Sequence, residues 1–131
     1  LSRVSPVPAD FPAEAARIAT ERIVLTSQEL LVNPTNEDKW IQLGNTRKFL
    51  NDYEGASQAW QYAAKLNTKD FVPLLNLAEL YGYYLVDVPR AEAYYKEALS
   101  KSPVDPNIKT KFSAFYRDVV YNEAKAQAIL K

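Results

Sequence analysis

The side chains that could do chemistry in this chain are carboxylates, carboxamides and phenols. Its 131 residues contain no His, Cys or Met, which removes imidazole bases, thiolate nucleophiles and the usual soft or borderline metal ligands together. Glu79 is a candidate acid or base, and Asp87, Glu92 and Glu97 supply further carboxylates. Capping and helix-end charge explain carboxylates beside a turn more simply than catalysis does. Gly44, Gly55 and Gly82 are too far apart to form a phosphate-cradling loop. Tyr81, Tyr83, Tyr84, Tyr94 and Tyr95 could be read as a stacking platform for bases or sugars. However, Lys plus Arg equals Asp plus Glu at 16 each, so no basic excess is present to hold a polyanion. The expectation is a protein that is not an enzyme and has no cofactor, no metal and no nucleic-acid partner. Among the tyrosines, Tyr83 is expected to face a binding groove and the others to pack.

The elements that must position such residues are helical. Hydrophobic residues make up 47% and aromatics 12% of the chain, which contains only three glycines, a composition for a packed helical protein rather than a disordered one. Pro6, Pro8 and Pro12 with Ser2 and Ser5 mark residues 1–12 as an extended linker. From Ala13 to Val32 neither Gly nor Pro intervenes. Ile18, Leu25 and Val32 recur every seven residues there, with Val24 and Leu31 beside them, which predicts a long amphipathic helix with this stripe turned inward. Asn33 and Pro34 end it. No window approaches ~18 apolar residues, so no membrane insertion is expected, and the opening residues lack the pattern of a secretory signal. Leu1 in first place, in a chain without Met, points to an excised or processed fragment. The compartment stays open, because a chain without Cys suits an oxidising space and a cytosol alike.

A repeat organises the remainder. At an offset of 34 residues, Trp40 falls on Leu74, Leu43 on Leu77 and Gly44 on Ala78. One more residue then enters the loop, and at 35 Ala56 falls on Ala91, Trp60 on Tyr95, Ala63 on Ala98 and Thr68 on Pro103. The same 35 carries Leu77 onto Phe112, Ala78 onto Ser113 and Tyr81 onto Tyr116, after which a shorter loop brings Ala91 onto Ala124. The predicted helices are 37–50 and 53–66, 71–84 and 88–101, 105–118 and 121–130, with Asn51, Asp52 and Asp87 at turns and Pro73 and Pro89 near helix starts. With the leading helix this makes seven. Small residues at 44, 78 and 113, and at 56, 91 and 124, let paired backbones approach, and Trp40, Leu43, Trp60 and Tyr95 fill the space.

The segments WIQLGN from Trp40, DYEGASQAW from Asp52 and ALSKSP from Ala98 resemble the tetratricopeptide repeat family. The resemblance covers roughly residues 37–131, as units 37–70, 71–105 and 106–131 behind a capping or half-repeat helix at 13–33. It departs at Arg47, where the family usually has an aromatic or Leu, at Thr68, where it usually has Pro, and at Lys109 and Ala128, which replace large apolar residues. It implies an all-α fold: a right-handed superhelical stack of antiparallel helix pairs whose first helices line a concave groove.

On that geometry the groove residues are Ile41, Asn45, Lys48 and Phe49 from the first unit and Leu75, Asn76, Glu79 and Tyr83 from the second. The third supplies Lys111 and Arg117, with Asn107, Thr110 and Ala114 beside them. Asn45 and Asn76 match positions that grip peptide in the family's carboxylate-clamp members. A carboxamide both donates and accepts, so it can hold an extended backbone without reading side chains. Lys111 matches a basic clamp position, but Ile41 stands where the clamp has Lys and Asn107 where it has another Lys, so a chaperone-tail clamp is incomplete. Residues 1–40 carry four basic and six acidic side chains and residues 101–131 six and three, which favours an acidic peptide or terminal carboxylate at the third unit. The expected function is a protein-interaction scaffold that binds a peptide or partner segment. The alternatives are a self-assembly domain, its groove filled by its own N-terminal segment or a second copy, and a regulatory or substrate-presenting part of a larger protein or enzyme.

Overall fold

A computed structural model describes residues 3–131. Among them the chain forms seven α-helices and no strand: α1 (Ala13–Val32), α2 (Glu37–Phe49), α3 (Tyr53–Leu66), α4 (Val72–Glu79), α5 (Val88–Lys101), α6 (Pro106–Asp118) and α7 (Glu123–Leu130). α4 runs directly into a π-helical turn, Leu80–Tyr84. The helices fall into two compact units, Leu1–Asn67 with α1 to α3 and Thr68–Lys131 with α4 to α7. No described helix is long and apolar enough to cross a membrane.

Local chemistry sets most helix ends. The Asn36 side chain accepts from Lys39 N–H at 3.3 Å, that of Asp52 from Gly55 N–H at 3.0 Å and that of Asp87 from Arg90 N–H at 3.2 Å. Asp105 accepts from both Asn107 and Ile108, at 2.8 and 3.1 Å, and Asn122 from Lys125 at 2.9 Å. Each contact satisfies a backbone donor that the first turn leaves open. Proline occupies the first turn of α4, α5 and α6, where a missing N–H costs nothing.

The turns before α3, α5 and α7 repeat at 35 residues. Asn51, Val86 and Tyr121 have positive φ of 62°, 53° and 58°, and the next residue caps the following helix in each case. Helices α2 and α4 match at 34, so one residue has to be absorbed between the body of α4 and the turn that follows it. The loop does not take it. Asp52 N–H reaches back five residues to Arg47 C=O, whereas Asp87 and Asn122 reach back six, to Tyr81 and Tyr116, all at 2.8 Å. The extra residue therefore widens the helix end, as the π turn after α4 and as the Val120 N–H to Phe115 C=O bond of 3.2 Å after α6. This corrects the third unit. The residue equivalent to Ala56 and Ala91 is Ala126, fully buried, and Ala124 is exposed.

In the first unit, Ala19, Ile23 and Leu30 of α1 pack with Trp40, Leu43, Leu50, Ala59 and Ala63. The stripe expected to face inward does the opposite: Ile18, Val24, Leu25, Leu31 and Val32 are 45% to 87% exposed. α1 is apolar on two faces, and the inner one carries Ala19 and Thr26, short enough for close approach. Trp60 lies against Gly44 and donates its Nε1–H to Ile41 C=O at 3.2 Å. Trp40 donates to Pro34 C=O at 2.8 Å and packs on Tyr62. In the second unit, Tyr95 of α5 stacks on Phe112 of α6 at 5.0 Å and meets Phe115 at the same distance.

Candidate interaction surface

In the first unit, α2 turns Leu43, Gly44, Thr46 and Arg47 inward, and helical spacing leaves Asn45 and Phe49 outward. Both line a recess of about 320 Å³ between α1 and α2, with Ile18 and Arg22 on the opposite wall. Ile41 is partly buried against the core, and Lys48 is half-buried. Phe49, 55% exposed, makes a T-shaped contact with Phe11 at a centroid distance of 5.4 Å.

In the second unit, Asn76 is half-buried, and Tyr83 in the π turn is 43% exposed. Partial burial, then Asp118 and Glu79, raise the Tyr83 phenol's pKa and keep it a neutral donor. Leu75 is buried, at 5% exposure, and lies in the core rather than on the surface expected for it. Lys111 Nζ pairs with Glu79 Oε1 at 2.7 Å, joining α6 to α4. The basic position and the candidate acid thus neutralise each other. Arg117 pairs with Glu123 of α7 at 3.1 Å, so its charge is directed to a neighbouring helix.

Two of the other carboxylates, Asp87 and Glu92, have structural partners, and Glu97 is exposed. Asp87 caps α5, and Glu92 accepts from Tyr116 Oη–H at 2.6 Å, a bond that, with Lys96 and Lys125 nearby, lowers its pKa. The five tyrosines form no common platform: Tyr81 and Tyr95 are buried, and Tyr83 and Tyr84 are half-exposed. Tyr81 stacks on Tyr94 and carries the Arg90 guanidinium 5.0 Å above its ring. The described residues contain no cluster of three or more potential metal ligands.

Sequence reasoning missed one polar centre. Residues 3–12, read as a linker, are fastened to the first unit by Arg3 and Ser5 on Asp52 and by Phe11 on Phe49. The available signal was Arg47, a cation at a position expected to be apolar. It is 2% exposed and donates toward Arg3 C=O at 3.4 Å. No family model matches the chain, and no curated protein matches it significantly.

Proposed function

We propose that this chain is a protein-interaction scaffold of the tetratricopeptide type, a right-handed superhelical stack whose first helices α2, α4 and α6 hold an extended peptide. The observation that carries this reading is the recurrence every 35 residues of one turn, a left-handed residue followed by an N-cap. Recurring turns support reading α2, α4 and α6 as equivalent members of such a stack, which would present equivalent faces. Asn45 and Asn76 would grip the partner's backbone, with Phe49 and Tyr83 as apolar walls and Lys48 and Arg117 at the edges. A partner carboxylate would have to compete with Glu79 for Lys111, so amide contacts contribute more to this reading than charge does.

The test is capture of partners on the immobilised chain, identified by mass spectrometry, beside the Asn45→Ala/Asn76→Ala double variant. The variant should keep wild-type helicity by circular dichroism and lose the captured protein. Retained capture by a folded variant would remove both amides from the site, and unfolding would make them structural.

A further inference from the structure

Asp52 does more than cap α3. Its Oδ1 accepts from Gly55 N–H at 3.0 Å and from Arg3 Nη2 at 2.6 Å, while its Oδ2 accepts from Arg3 Nε at 2.9 Å and from Ser5 Oγ at 2.8 Å. The carboxylate is 1% exposed, and Arg3 is only 29% exposed. Capping requires none of this: Asp87 caps α5 in the same way with its side chain 42% exposed. The additional acceptor capacity is aimed at a guanidinium and a hydroxyl two residues apart on an extended segment, and a two-point fork on a carboxylate selects Arg over Lys.

The surroundings are shaped for that guest. A side chain at residue 55 would bring its Cβ against the Asp52 carboxylate first and then to 2.7 Å from Arg3 Nε, so Gly55 leaves room for the carboxylate together with the guanidinium it holds. Buried Arg47 forms the floor, with its Nη2 toward Arg3 C=O at 3.4 Å, its Nη1 toward Gly55 C=O at 3.5 Å and its Nε without a hydrogen-bond partner. Burial lowers the Arg47 pKa and Asp52 opposes that fall, so Asp52 retains a buried counter-charge when Arg3 departs. An empty recess is therefore not a lone buried charge, which would be strongly unfavourable. The guest contributes little to the core, since Val4 is 85% exposed between the two anchoring side chains. Pro6 and Pro8 follow it and favour an extended chain with little entropy left to lose.

We propose that the recess of Arg47, Asp52 and Gly55 is a binding site for an extended peptide of the form Arg-x-Ser, and that residues 3–5 are its tethered ligand. The site lies at the α2–α3 turn; the segment meets the amide-lined face only further along, where Phe11 packs on Phe49. A tethered ligand competes at high effective concentration, so a free peptide binds well only when the tether is disarmed.

The experiment titrates a synthetic peptide of residues 3–8, which stops short of Phe11, into the full chain labelled with nitrogen-15, wild type and Arg3→Ala. The Arg3→Ala chain should bind at least about tenfold more tightly than wild type, with the largest shifts at the Gly55 and Asp52 amides. Adding Asp52→Asn, which preserves the cap because Asn caps as well as Asp, should abolish the gain. Lys in place of the peptide's Arg should weaken binding. If Asp52→Asn disturbs folding by circular dichroism, the peptide with Ala in place of its Arg serves instead, and it should not bind the Arg3→Ala chain. Asn45→Ala/Asn76→Ala should leave this binding unchanged, which separates it from the groove reading. Equal affinity of wild type and Arg3→Ala, including no binding to either at about 1 mM peptide, would overturn the proposal. So would full binding after loss of the Asp52 charge.

Discussion

Gly44 and Trp60 define the closest approach of α2 and α3. A methyl at residue 44 would lie 2.8 Å from Trp60 Cε2, and the indole, 2% exposed and bonded to Ile41 C=O, has nowhere to retreat. Gly44→Ala should therefore destabilise the protein by about 1 to 3 kcal/mol despite the better helix propensity of Ala, read as a lower urea midpoint at unchanged slope. Unchanged stability would mean that the indole can shift. The small residue at 44 and the large one at 60 were legible in the sequence, because each follows from position within a repeat. Arg47 was legible only as an anomaly. Its partner Arg3 is 44 residues away, in a segment with no periodic pattern to place it.

The helices themselves were the most legible level. α1, α3 and α5 begin and end where Pro, Asn and Asp punctuation places them, because capping is a bond between residues two or three apart. The helix ends before α5 and α7 were not legible, since a loop and a widened helical turn absorb an extra residue equally well in one dimension. Val86 follows from this geometry. It holds φ at 53° with a β-branched side chain that is 66% exposed, where the first turn has Asn51 at 62°. A left-handed conformation costs about 1 to 2 kcal/mol for such a residue. Val86→Gly should thus raise stability by about 1 kcal/mol, seen as a higher midpoint in thermal or urea unfolding, although Gly is ordinarily the more costly residue to order. A loss of stability would show that the Val86 side chain contributes packing that its exposure does not reveal.

At the scale of the whole molecule, both tryptophans, Trp40 and Trp60, lie in the first unit, while each unit contains helices. Tryptophan fluorescence therefore follows the first unit, and far-ultraviolet circular dichroism follows both. Phe112 is 1% exposed in the second unit, and Phe112→Ala should remove about 3 to 5 kcal/mol there. The dichroism transition should move to lower urea and broaden while the fluorescence transition stays near its wild-type midpoint. Coincident shifts would instead show the two units unfolding as one.

The sequence alone determined the all-α class, the seven helices, most of their boundaries and the spacing of small and large residues. All of these rest on contacts within one helix or between helices adjacent along the chain. Only the tertiary structure decided which face of α1 is buried, because that helix is apolar on two sides and periodicity cannot choose between them. It also decided that Lys111 is held by Glu79 and that residues 3–5 are seated on Asp52. These pairings span tens of residues, where charge and distance in space matter and spacing along the chain carries no signal.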